Sequence, residues 1–186
     1  MLHTESLVLR PYRADDLAAI HDYAGDPENL VHLLWGPNSE AETREFLDRV
    51  LANEHAHPRT EFDFAVERKE DGRLIGGCGI ALVGHREAAE VGWVLHRDFH
   101  RRGYGTEACH ELLRFGFETL GVHRIFATCR ADNVASFRVM EKNGMRREAH
   151  FHHNRPGRPG DPERWYDELE YAMLETEWKG RKRLEP

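Results

Sequence analysis

Polar and apolar residues alternate in the opening stretch SLVLRPYRADD, with Leu7 and Leu9 on one face, which predicts a strand ending at Pro11. Asp15 and Asp16 then start a predicted helix that runs to about Gly25. In NSEAETREFLDRVLANEHA the period lengthens. Phe46, Leu47, Val50 and Leu51 share a helical face, and Ser39 followed by Glu42 forms a capping box. Period two returns in three runs, EFDFAVERK, RLIGGCGIALV and EAAEVGWVLHR, and Asp71-Gly72 predicts a tight hairpin between the first two.

The second half mixes both periods. YGTEACHELLRFGFETLG predicts a helix closed by Gly121, and RIFATCRA a short buried strand. NVASFRVMEKNGM predicts a helix capped by Asn133 and ended by Gly144. MRREAHFH predicts a strand, NRPGRPGDPERW a loop and YDELEYAMLETEW a last alternating strand. With no repeat and no linker, the expectation is one α/β domain over residues 1–178, with a mostly antiparallel first half. Residues 179–186 (from KGRKRLEP) are expected to be a flexible basic tail.

Composition narrows the class. Hydrophobic residues make up 40% and charged residues 32%, the balance of a soluble globular chain. No apolar run is long enough to span a bilayer, and MLHTESLVLRPY lacks a signal-peptide layout, so the expected place is the cytoplasm, away from membranes. The 26 basic and 33 acidic residues give a net charge of −7, which argues against phosphate-driven nucleic-acid binding and is compatible with an amine ligand. Cys78, Cys109 and Cys129 form no C-x-x-C pair and are expected to be buried reduced thiols. His150, His152 and His153 have metal-like H-x-H spacing, but only Glu148 stands near them in sequence, so no metal is expected.

The stretch HRRGYGTEA, from His100 to Ala108, carries the sharpest chemistry. Gly103 and Gly105 allow close backbone approach, and the start of the following helix offers unpaired N–H groups to an anion. Arg101 and Arg102 can add charge-assisted hydrogen bonds. A solvated turn with purely geometric glycines accounts for the same residues. GYGTEA also matches the dinucleotide fingerprint G-x-G-x-x-A, but the polar HRDFHRR before it is not the buried strand which that motif requires.

The block AEVGWVLHRDFHRRGYGTEACHELLRFGFETLGVHRIFATCRADNVASFRVMEKNGMRRE resembles the centre of the GNAT-superfamily N-acyltransferases, nearest to the RimJ/RimL-like branch. The opening SLVLRPYRADDL resembles that branch too, so the likeness runs from Leu7 to about Trp178. It implies the GNAT fold, a single mixed, mostly antiparallel central sheet splayed in the middle and flanked by helices. It implies acetyl-CoA as co-substrate, its pyrophosphate cradled by the backbone of Arg101, Arg102, Gly103, Tyr104, Gly105 and Thr106, with Tyr104 mainly packing. His100 stands where the family usually has Gln or Arg.

The same resemblance puts the acyl group where the strand of Trp93, Val94 and Leu95 diverges from Ile125–Cys129, with N–H groups around Val94 holding the pantetheine and polarising the carbonyl. By alternation Glu90, Gly92 and Val94 share one face, which makes Glu90 the leading general base. Asp167, Glu168 and His150 are alternatives. Asn133 and Ser136 lie one helical turn apart and can face one ligand; the resemblance assigns Asn133 to the pantetheine and Ser136 to protonation of the departing thiolate. Trp35 is expected to wall the acceptor pocket or to serve packing alone. The expected activity is acetyl transfer to a primary amine, such as a protein N-terminus, polyamine, antibiotic or other small amine. Two competing readings are a non-catalytic acyl-CoA-binding module and a dinucleotide-dependent oxidoreductase. Edge strands near the C-terminus suggest a homodimer.

Overall fold

Eight strands join edge to edge in a single sheet in the order β1-β2-β3-β4-β5-β6-β8-β7. The computed structural model describes residues 1–84, 87–157 and 163–182. The strands are β1 (Leu2–His3), β2 (Leu7–Arg10), β3 (Glu61–Arg68), β4 (Leu74–Val83), β5 (Ala88–Leu95), β6 (Arg124–Arg130), β7 (Arg146–Pro156) and β8 (Trp165–Leu174). Neighbours from β1 to β5 are antiparallel, as are β6 with β8 and β8 with β7, while β5 and β6 are parallel. The expected mixed, mostly antiparallel sheet is therefore observed. The turn at Asp71-Gly72 is also present, with Gly72 at φ 68°.

Helices cover both faces. On one lie α1 (Leu17–Ala24) and α2 (Glu40–Asn53), burying Ile20, Tyr23, Leu47 and Val50 against Ala65 and Leu74. The Ser39–Glu42 capping box at the start of α2 is formed in both directions. On the other face α3 (Tyr104–Phe115) and α4 (Val134–Lys142) bury Leu112, Leu113 and Met140 against Ile75, Ile80 and Ile125. α3 continues as one wider turn over Gly116–Leu120 and stops at Gly121, whose φ of 68° suits a glycine end cap. A Cβ on Gly116 would stand 2.5 Å from Ile125 Cδ1, so a side chain there would have to push the isoleucine ends aside.

Three sequence expectations need correction. A short strand, β1, precedes the first expected one. β7 runs on to Pro156, past the expected loop start, and residues 158–162 of that loop lie outside the described residues. β8 ends at Leu174, where α5 (Glu175–Lys182) begins, so helix replaces both the expected end of the strand and the first residues of the expected tail. Trp178 explains the change. Spaced four residues from Leu174, it stacks on Phe117 at 5.8 Å and donates Nε1–H to Glu118 at 2.9 Å. Residues 183–186 are outside the described residues. Among those described, no helix is long and apolar enough to cross a membrane.

One buried charge cluster fixes the strand–helix junction. The Arg10 guanidinium on β2 bonds both oxygens of Asp16, at 2.7 and 2.8 Å, and Glu67 on β3 at 2.6 Å. Asp16 also accepts the Arg13 N–H at 2.7 Å, so the bend into α1 hangs on this carboxylate. Hydrogen bonds to Asp16 raise the Arg10 pKa against the opposing effect of burial, so the guanidinium stays charged.

Candidate active site

β4 and β5 pair without a slip from Gly76↔Leu95 to Val83↔Ala88, but β5 and β6 pair only over Ala88↔Arg124, Ala89↔Ile125 and Glu90↔Phe126. Beyond Glu90 the two strands part, which is the expected splay. His96 N–H donates to Ile75 O at 2.8 Å, so alternation turns the N–H groups of Gly92 and Val94 toward β4. Those of Val91, Trp93 and Leu95 face the gap. This corrects the expectation for Val94, whose side chain packs into the cluster under α1 and α2. The Leu95 carbonyl, on the gap side, receives the ring of His100 at 2.9 Å.

A cleft of about 1300 Å³ opens over the splay. Its floor is made by glycines. A Cβ on Gly77 would meet the Tyr12 hydroxyl at 2.1 Å, so the absent side chain seats that buried phenol, which lies 3.4 Å from the Tyr23 hydroxyl. Gly79 pairs with Gly92, and a Cβ on Gly92 would meet nothing within 4 Å. Position 92 thus faces open cleft.

Two carboxylates border this floor. Glu90 is flanked by walls that strip part of its solvent, and this raises its pKa above the usual 4.5. The Thr128 hydroxyl, 3.5 Å away, and Arg155 oppose the rise, while Glu168 and Glu170 add to it. Asp63 is raised by desolvation too, against the pull of Arg49. Its buried Oδ2 has no hydrogen-bond partner, and Arg49 stands 3.8 Å off. Sequence reading missed Asp63. The signal was there: a carboxylate between Phe62 and Phe64, on the same strand face as buried Ala65.

The turn before α3 has the backbone its glycines predict. Arg101 has φ 60° and Gly103, the residue preceding the helix, has φ 89°. No side chain caps this end, so the first N–H groups of Tyr104, Gly105 and Thr106 remain for an anion. Arg101, Gly103, Tyr104, Gly105 and Thr106 all border the cleft. The Arg102 side chain instead lies over the Phe99 ring at 5.5 Å. Tyr104 packs against the core.

Across the cleft, Asn133 Oδ1 accepts the Ser136 N–H at 3.1 Å and caps α4. Ser136 neighbours the buried Cys129 thiol, whose pKa burial pushes up to about 11, leaving it neutral. Cys78 and Cys109 are also buried and free, as expected. Trp93 and the exposed Trp35 both border the cleft. The alternative bases fit less well. Glu168 is engaged by Arg155 at 3.1 Å and Asn154 at 2.5 Å. Asp167 is held at about 2 by the His153 N–H and the rings of His150 and His152, which makes it a poor base, and neither it nor His150 borders the cleft.

Comparison with known proteins gives a consistent picture. A family model described as an acetyltransferase (GNAT) domain matches residues 6–146. The uncharacterized N-acetyltransferase YnaD of Bacillus subtilis is 32% identical over 175 residues, covering 94% of this chain and 97% of its own. The crystal structure of a GNAT-family acetyltransferase from Bacillus anthracis superposes with a TM-score of 0.82 at 31% identity, over 95% of this chain and 99% of that one. A spermidine N-acetyltransferase from Vibrio cholerae, crystallised with CoA and spermine, shares the fold at a TM-score of 0.77 and 22% identity, over 93% and 98% of the two chains.

Proposed function

Since the chain belongs to the GNAT acetyltransferase family and is an acetyl-CoA-dependent acyltransferase, we propose that it acetylates a primary amine which docks on the glycine floor between Asp63 and Glu90. The observation that carries this reading is the pair of partly desolvated carboxylates beside a floor with no side chains, at the point where β5 leaves β6.

The residues fit acetyl-CoA. The uncapped start of α3, with Arg101 and Gly103 in left-handed conformation, suits a pyrophosphate. The gap-facing N–H groups of Trp93 and Leu95 suit the amide-bearing arm and the thioester oxygen. Bound acetyl-CoA supplies the activated acetyl group. The chain does the rest: Glu90 takes a proton from the incoming ammonium and passes it to solvent, and the free amine attacks the thioester carbon directly in a ternary complex. As the carbon–sulfur bond breaks, the adduct nitrogen gives up its second proton to solvent, while Ser136, at the rim of α4, donates a proton to the leaving sulfur and retakes one from solvent. Asp63 holds the cationic body of the acceptor, a role suited to its unpartnered oxygen.

A cationic acceptor such as a polyamine fits the two carboxylates, and the spermidine N-acetyltransferase from Vibrio cholerae that shares the fold was crystallised with the polyamine spermine. A protein N-terminus is another candidate acceptor; an amine screen scored by thiol release from acetyl-CoA separates the two. Asp63→Asn should raise the KM for the amine about tenfold, the loss of one charge-assisted hydrogen bond, and leave the KM for acetyl-CoA unchanged. An unchanged amine KM would remove Asp63 from the acceptor site.

Gly92→Leu tests the floor itself. No protein atom lies where its Cβ would go, so the melting temperature should stay within a degree or two of the parent. Turnover should fall roughly 10²-fold or more, because a side chain there displaces the reacting groups. Full activity in this variant would mean that chemistry happens elsewhere.

A further inference from the structure

The outer hairpin β7–β8 carries a cluster that acetyl transfer does not use. Between Phe151 and Arg155 the register against β8 slips, and His153 takes φ 48°, so the strand bulges. His150 and His152, two residues apart on one strand face, both turn to Asp167. His150 Nε2 lies 2.8 Å and His152 Nδ1 3.0 Å from the same oxygen, Oδ2. The other oxygen accepts the His153 N–H at 3.0 Å, which fixes the carboxylate plane and leaves Oδ2 to the rings.

We propose that His150, His152 and Asp167 form a binding site for a divalent transition-metal ion, with zinc or nickel the class it takes. Around such an ion, with bonds of about 2.0–2.2 Å, neighbouring donor atoms sit about 3.0–3.5 Å apart. Two of the three edges of that triangle, at 2.8 and 3.0 Å, are close to this length, and all three donor atoms lie within 4.8 Å of one another. In the metal-free form each ring must carry a hydrogen on the nitrogen facing Oδ2, because a carboxylate only accepts. When an ion binds, each ring carries its hydrogen on the other nitrogen instead, a charged ring releasing its extra proton to solvent, so the ion meets two neutral imidazoles and one anion. Imidazole ligands select zinc, nickel or copper over magnesium and calcium. The cluster is exposed, so a solvent molecule can complete the coordination.

The proposal departs from the expectation of no metal. Sequence reading had only Glu148 to complete the set, and Glu148 is taken by Arg124 and Arg146. The third ligand comes from β8 through the register of the hairpin. The proposal does not depend on the acyl-transfer reading.

The test is calorimetric titration of zinc chloride, nickel chloride and magnesium chloride into protein freed of any affinity tag and of metal. The expected result is one zinc or nickel per chain and no heat with magnesium. Affinity should fall at least tenfold in His152→Ala and in Asp167→Asn, while the stabilisation by acetyl-CoA in melting experiments stays as in the parent. His152 is well exposed, so its variant should fold normally. Absence of both zinc and nickel binding overturns the proposal. So does binding undiminished in both variants, which would assign the ion to others of the 13 histidines.

Discussion

Glu90→Gln should lower kcat/KM about 10²- to 10⁴-fold, the usual contribution of a positioned general base, with acetyl-CoA affinity unchanged. The same substitution should raise the melting temperature slightly at neutral pH. Partial desolvation puts the Glu90 pKa above its ordinary value, so the folded state holds this proton more tightly than the unfolded chain. The charged carboxylate therefore costs stability at pH values above its folded pKa, and the cost disappears as the pH falls through that value. Glutamine removes it at every pH. The parent should also show an acidic limb in its rate profile, displaced upward from the ordinary glutamate value, and the variant should lose that limb. A variant that keeps its turnover would pass the base role to another group; one that loses turnover and melts lower would mark Glu90 as structural.

Arg10→Met should cause the largest loss of stability. The guanidinium is buried, as is Asp16, and its removal leaves Asp16 without its bidentate partner and Glu67 without its ion pair. Breaking a buried ion pair from one side costs about 3–5 kcal/mol, which lowers the melting temperature by on the order of 10 °C in a chain of this size. Calorimetry on the variant measures this directly. Replacing Arg10, Asp16 and Glu67 together by apolar residues of similar size should recover much of the loss, because no unpaired charge then stays behind. Failure of the triple variant to recover would show that the cluster orients α1 beyond its electrostatic contribution.

How far the chain could be read in advance depended on the range of the interaction concerned. The Ser39–Glu42 box, the Asp71-Gly72 turn, the Gly121 stop and the Asn133 cap each act over a few residues, and each was legible. The glycine turn at 101–105 was legible for the same reason. The end of the chain was not. In LETEW, alternation and a four-residue spacing coexist, and only the distant Phe117 and Glu118 decide for helix. Val94 was assigned to the gap by the family resemblance, whereas the direction of its N–H follows from pairing with β4. Asp63 and Asp167 went unrecognised as partners because what they face comes from other elements: a glycine on β4 for one, a bulged strand for the other.

The seam between β5 and β6 has a mechanical consequence. Three residue pairs join a plate of five strands to a plate of three, and they sit at one end of the cleft. Any relative rotation of the two plates would pivot near Ala88–Glu90. A small rotation there is magnified along the lever arms, so Leu95 and Arg130 travel further than Glu90 does. The proposed base therefore sits near the pivot, where position changes least, and the mouth that must admit a bulky donor sits where it changes most.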